Sequence, residues 1–457
     1  MNTAVTSSPP ASVREAPGGL PLLGHALRLV RSPLDYLQSL SGLGDIVQLR
    51  VGPSPLYVVT SPECIHQVLV TQAESFERGR IFDKATVAIG KGLIVSNGAF
   101  HRRQRKLLQP GFHRPRIHGY METIHRQVGA QIAGWSPGAH LSLREEMHRL
   151  TLNSVTRTLF GANTEERITA EIGDYIDAAN SWVGLHTLLS GRFFERLPMP
   201  INRAFVRKKA RFNEILDEFI ESRRADGRDQ GDLLSALLAS QDDETGQGMS
   251  DEQLRMEISG LFVAGSETTA TALTWLFYEV GRHPEVEARL HAEVDAVLGG
   301  RAITPDDLPR LQYLQNVISE TLRRHSPIWV FTRRTTRALE LAGTHLPAGA
   351  EVIISPMMVH RNPHLYSEPL RFDPDRWLPE RMQEIPRHAF IPFGDGKHKC
   401  IGDYFARTEM VIAVATIAAR WRLVPVPGHR VREVPRAVLR PNQVLMTAVP
   451  RSSTPVS

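Results

Sequence analysis

Phe393-Gly394-Asp395-Gly396-Lys397-His398-Lys399-Cys400-Ile401-Gly402 is the stretch that decides how this chain is read. Its cysteine is one of only two; the other is Cys64. Two cysteines exclude a disulfide scaffold, a Cys-rich zinc site and a Cys-ligated iron–sulfur cluster. A lone Cys between glycines and basic residues, before a long apolar helical run, suits one task. It can be held as a thiolate and donate to a metal that brings its other ligands with it. Gly394, Gly396 and Gly402 permit sharp turns and close approach of the backbone. Backbone N–H groups at the helix start can point at the sulfur. Lys397, His398 and Lys399 make its surroundings electropositive, which favours thiolate over thiol. A cysteine taken alone is more often buried and inert, so the weight rests on the spacing.

Working back from this loop, the clearest element is a helix over Leu254 to Arg282. Ser250 with Gln253 reads as a capping box before it, and Pro284 breaks it. At 1.5 Å per residue it would span roughly 45 Å. Its apolar middle carries Gly260, Gly265, Glu267, Thr268 and Thr269, which argues for a buried helix with a chemical break rather than a membrane span.

The pattern F-x-x-G-x-[R/H]-x-C-x-G resembles the haem-binding loop of the cytochrome P450 superfamily, with Phe393, Gly396, His398, Cys400 and Gly402 in its positions. The resemblance implies haem b with Cys400 as axial ligand of the iron. A thiolate there pushes electron density that favours O–O cleavage. Ala264-Gly265-Ser266-Glu267-Thr268-Thr269 is similar to the family's oxygen-activation motif. That implies Ala264 and Gly265 beside the haem, with Thr268 and Glu267 as the catalytic hydroxyl–acid pair that delivers protons. Glu320-Thr321-Leu322-Arg323 matches the family's E-x-x-R, a spacing that also occurs at Glu146/Arg149, Glu221/Arg224 and Glu252/Arg255. Phe372-Asp373-Pro374-Asp375-Arg376-Trp377 resembles the family's P-E-R-F segment, so Arg376 would close a structural Glu320–Arg323–Arg376 network. His101 and Arg105, four apart on one helix face, resemble the pair that holds the haem propionates. Arg333 matches a further propionate donor, with Arg334 as the competing choice. The similarity runs from about His25 to Val449. It implies a mainly α fold with small β regions (α+β), a triangular helical prism with a long central helix over the haem.

The bulk numbers agree with an ordinary globular protein. Of 457 residues, 42% are hydrophobic and 23% charged, and the net charge of +5 comes without a basic block that reads as a nucleic-acid arm. Arg102, Arg103 and Lys106 read as a solvated face that could share a basic patch with Lys397 and Lys399, where an acidic ferredoxin would dock. Residues 1–17 read as a disordered tail, and 18–457 as one haem domain. The first ten residues lack an apolar core, so neither a signal peptide nor a membrane anchor is expected, and the expected compartment is the cytoplasm. A fused reductase is not expected. Asp45–Val51 and Leu56–Thr60 read as a hairpin, Leu339–Leu341 and Glu351–Ile354 as short strands, and Asn362–Pro386 as a Pro-rich meander. The final helix is expected from near Gly402 to about Trp421.

Candidate pocket residues are Ile81, Phe82, Trp182, Leu261, Trp329 and Val330, within Glu77–Leu93, Trp182–Phe194, the central helix and Ile328–Phe331. They are apolar, with little to bind an anion. Similarity of His101–Phe112, Ile328–Arg334 and Phe372–Arg381 to bacterial terpene hydroxylases implies a terpenoid or another natural-product skeleton of secondary metabolism. The leading reading is a monooxygenase fed by NAD(P)H through ferredoxin and ferredoxin reductase. Alternatives are a peroxide-using or rearranging haem-thiolate enzyme, and a haem-thiolate sensor or carrier. The hydroxyl–acid pair argues against both.

Overall fold

The computed structural model describes residues 13–52, 54–161, 165–188, 197, 199–242 and 246–451, the side chains of 187 and 188 excepted. They form two compact units, each assembled from separated stretches of chain. One takes in residues up to Ile81, Trp329–Leu370 and Glu384–Lys399; the other takes in Phe82–Ile328, Arg371–Gln383 and the chain from Cys400.

The first unit is built on a six-stranded sheet. Its order is Arg14–Glu15, Ile46–Val51, Ser54–Val59, Glu351–Ile354, Phe331–Thr335, Phe76–Arg78. The expected hairpin is present, with Ile46 opposite Val59 and Val51 opposite Ser54. Gly52 turns it with a φ of +59°; Pro53 lies outside the described residues. Val47, Leu49 and Val58 bury one face against Tyr36, Leu37, Leu40 and Met358, as alternating apolar residues should. The irregular tail was expected to reach about Pro17, and residues 1–12 lie outside the described chain. Arg14–Glu15, however, pair in parallel with Val47 and Gln48. Glu15 meets Arg50, and Ala16 is buried.

The second unit is helical. Its centre is the helix Asp251–Arg282, capped by Ser250, whose Oγ accepts the Gln253 N–H at 3.2 Å. It packs against Leu143–Phe160, Pro200–Asp226, Gln312–Arg324 and Asp403–Ala418. The close approach to Leu143–Phe160 uses small residues. A Cβ on Gly265 would meet Val155 at 3.3 Å, and Thr151 Oγ1 donates to the Ser266 carbonyl at 3.0 Å. The helix Asp403–Ala418 lies along Arg114–Ala133, pinned by hydrogen bonds between His118 and Tyr404 at 2.9 Å and between His125 and Thr416 at 3.1 Å. This last helix is shorter than its apolar run suggested. Trp421 starts a strand that pairs with Leu445–Pro450, and its ring meets Trp135 edge-on at 5.9 Å. Sheet pairing and that contact end the helix before Trp421. Among the described residues no helix is long and apolar enough to cross a membrane.

Candidate active site

Cys400 opens the run into the helix Asp403–Ala418, and its side chain is exposed. The adjoining Gly402 has a φ of −90°, ordinary for any residue. A Cβ there would lie 3.8 Å from the Phe112 ring and 3.9 Å from the Cys400 sulfur. Gly402 is therefore not required by the protein's own contacts. Gly396 differs: its φ is +65° and a Cβ would fall 1.9 Å from the Leu69 carbonyl oxygen. In the first unit, Gly396–His398 form one tight turn, capped by Asp395, and Phe393 and His398 are half-buried.

In the second unit, the helix Gly98–Leu108 carries His101, 2% exposed, and Arg105 one turn on. Burial pulls the Arg105 guanidinium below its ordinary range, and the Cys400 sulfur pulls it partly back. A positive charge thus sits within electrostatic reach of the candidate ligand. Gln104, which precedes Arg105 on this helix, is fully buried, with neither end of its amide hydrogen-bonded among the described residues. A glutamine inside a basic helix reads as solvated from sequence, so nothing marked it. Arg103 pairs with Asp242 at 3.4 Å, and Lys397 of the first unit with Glu74 at 3.2 Å. Two of the five residues expected in the basic patch, Arg103 and Lys397, are therefore partly neutralised.

The middle of the central helix is mostly buried, with Val263 half-buried and one stripe more open. Leu261, Gly265 and Thr268 are half-buried and Ala264 is exposed, the i, i+3, i+4, i+7 positions of a single face. Thr268 Oγ1 donates to the Ala264 carbonyl at 2.6 Å. Such a back-bond loosens the helix locally and leaves the hydroxyl an alternative partner. Glu267 points to the other side. It is 5% exposed and lies 3.4 Å from His148 Nε2. Burial raises its pKa; His148, Arg144 and Arg440 oppose that rise, and Asp177 adds to it.

Glu320, Arg323 and Arg376 come together. Arg323 binds both oxygens of Glu320, at 2.9 and 2.8 Å, and Arg376 Nε lies 3.6 Å away. The Asp373 N–H and Trp377 Nε1 also donate to Glu320, each at 3.1 Å. Trp377 thus adds a donor that the family's phenylalanine lacks.

On the sheet of the first unit, Arg334 is held by Glu351 at 3.4 Å and Glu77 at 3.7 Å. Arg333 is 5% exposed, and burial lowers its pKa to about 10. Among the pocket candidates, Leu261 lies on the open stripe. Ile81 and Phe82 are half-buried, as are Trp329 and Val330, which pack on the core of the first unit. Trp182 is interhelical core: its indole N–H binds Asn202 at 3.0 Å, and its ring stacks on His186 and Phe205. Residues 189–194 of that stretch lie outside the described chain.

The donor set fits a haem. It has one soft sulfur, a cation and a buried imidazole on a neighbouring helix, and a flat stripe of small residues.

Residues 15–450 match the model of the family described as Cytochrome P450. The chain is 43% identical to cyclooctat-9-en-7-ol 5-monooxygenase of Streptomyces melanosporofaciens over 94% of each chain. It is 39% identical to pentalenene oxygenase of Streptomyces avermitilis over 93% of this chain and 94% of that one. The solved cytochrome P450DA haem domain shares the fold at a TM-score of 0.85 and 25% identity, over 96% of this chain and 98% of that one.

Proposed function

The chain belongs to the cytochrome P450 family, and on that premise we propose that it is a haem-thiolate monooxygenase that hydroxylates a terpenoid. Two relatives carry names of oxygenases that act on cyclooctat-9-en-7-ol and pentalenene, and the pocket candidates are apolar. Electrons come from NAD(P)H through a ferredoxin and its reductase, and the enzyme works in the cytoplasm. When bound, the haem supplies a thiolate-ligated iron at which dioxygen is cleaved.

This chain's residues do the rest. Cys400 grips the iron. His101 and Arg105 hold the propionates, a role the motifs extend to Arg333. Phe393, His398 and Gly402 complete the loop around the sulfur. Ala264 and Gly265 keep the helix face flat. Thr268 Oγ1 exchanges its bond to the Ala264 carbonyl for one to water or oxygen. Burial makes Glu267 hold its proton to higher pH, so it can donate where an ordinary glutamate would already be ionised. Glu320, Arg323 and Arg376 hold the meander.

The observation that carries this reading is the coupling of Arg105 to an exposed Cys400 sulfur in the unit that also presents the Leu261–Thr268 stripe. A panel of cyclic terpenes and terpene alcohols tests it. A substrate should shift the haem spin state and yield a product carrying one atom of labelled dioxygen. Turnover with peroxide but none with dioxygen and supplied electrons, or products without the label, would reject it.

A further inference from the structure

Among the described residues, two clusters of side chains have metal-ligand spacing, and one of them lies wholly outside these assignments. His148, Asp177 and Glu267 have Arg144 and Arg440 beside them, and that charge opposes a cation. His66, His388 and Asp395 lie in the first unit, where Lys397, two positions on from Asp395, pairs with Glu74 at 3.2 Å.

The three come from different segments. His66 ends the helix Pro62–His66, His388 lies where the meander ends, and Asp395 is in the loop that leads to Cys400. One ligand atom from each lies within 4.8 Å of the other two. His66 Nδ1 is 3.6 Å from Asp395 Oδ2, is itself buried, and makes no hydrogen bond among the described residues. The other oxygen of Asp395 accepts the Gly396 N–H at 2.8 Å. That bond fixes the carboxylate and turns Oδ2 toward His66. The two imidazoles stack with centroids 3.7 Å apart. His388 sits in the left-handed region, with a φ of +63°, so its backbone is held by its surroundings rather than by preference.

We propose that His66, His388 and Asp395 bind a borderline divalent transition-metal ion, zinc above all. Two imidazoles and one carboxylate are the ligand types such ions select, whereas magnesium and calcium prefer all-oxygen shells. Zinc bonds of about 2.0–2.2 Å put ligand atoms roughly 3.3–3.5 Å apart. The His66–Asp395 spacing is close to that, and small rotations of the rings close the rest. A bound ion ties the helix Pro62–His66 and the end of the meander to the loop before Cys400. None of the three ligands is placed in the oxygen chemistry, so the site stands or falls independently of it.

The test uses the full chain loaded with haem, so that Cys400 is occupied, after removal of free metal by chelation. Zinc chloride is titrated by calorimetry, and bound metal is counted after equilibrium dialysis. One saturable equivalent is expected, with no comparable binding of magnesium. His66→Ala and His388→Ala should each weaken it about tenfold or more, with unchanged haem content in metal-free buffer. Asp395→Asn keeps an acceptor for the Gly396 N–H and should weaken zinc binding likewise. No saturable equivalent, or the same affinity in all three variants, would overturn the proposal.

Discussion

Arg323 holds Glu320 by both ends of its guanidinium fork, Nε to Oε2 at 2.9 Å and Nη2 to Oε1 at 2.8 Å, and neither side chain exposes any surface. The same Arg323 Nη2 reaches the Arg371 carbonyl at 3.3 Å. The pair therefore joins the helix Gln312–Arg324 to the meander segment Arg371–Trp377.

Breaking this fork leaves a buried charge without compensation. Arg323→Ala is expected to cost about 3–5 kcal/mol of stability, with loss of haem on purification. Urea unfolding of the parent and variant measures it. A cost under about 1 kcal/mol would mean that Glu320 is satisfied without Arg323.

The two glycines flanking Cys400 should behave differently. Gly396→Ala forces a methyl into the Leu69 carbonyl at a positive φ, so it should disturb the loop with or without haem. Gly402→Ala has room within the protein, so metal-free protein lacking porphyrin should keep its melting temperature. Lower haem occupancy in Gly402→Ala alone would then locate its constraint at the cofactor. Equal melting-temperature losses in both variants would refute the distinction.

Much of this site was legible because its motifs are local. The Cys400 loop, the Ala264–Thr269 segment and the His101/Arg105 spacing each fit within one or two turns of chain. The capping by Ser250 and the hairpin around Gly52 were readable for the same reason. What escaped depends on partners far apart in sequence. His148 beside Glu267, Trp377 as a donor to Glu320, and the buried amide of Gln104 follow from tertiary neighbours, not from pattern. The end of the last helix was misjudged because an apolar run does not show that Trp421 is claimed by a strand.

Glu409 is another residue that no pattern marked. It lies on the helix Asp403–Ala418 with no exposed surface, and burial raises its pKa to about 8, against the partial pull of the Ser154 and Thr269 hydroxyls. The folded chain keeps this proton where the unfolded chain has released it. Stability from this group is therefore full below the ordinary carboxylate range and is lost as pH rises toward 8, on the order of 5 kcal/mol in all. Glu257, raised by burial to about 7, acts in the same direction. Glu409→Gln should flatten the fall and be more stable than the parent above pH 8. An unchanged slope in pH-dependent unfolding would show that Glu409 does not titrate in this range.

Thr268→Ala removes the hydroxyl without touching Cys400 or the helix packing. The variant should bind haem normally yet divert most NAD(P)H-derived electrons to hydrogen peroxide. Product formed per NAD(P)H consumed is the readout. Unchanged coupling would take Thr268 out of the proton path.

The proposed function rests on the proposed ligation of the haem iron by Cys400. The absorption spectrum of the reduced holoprotein under carbon monoxide, parent beside Cys400→Ser, tests it most directly. The parent should give the thiolate-type spectrum and the variant should lose it; the same spectrum from both would contradict the account.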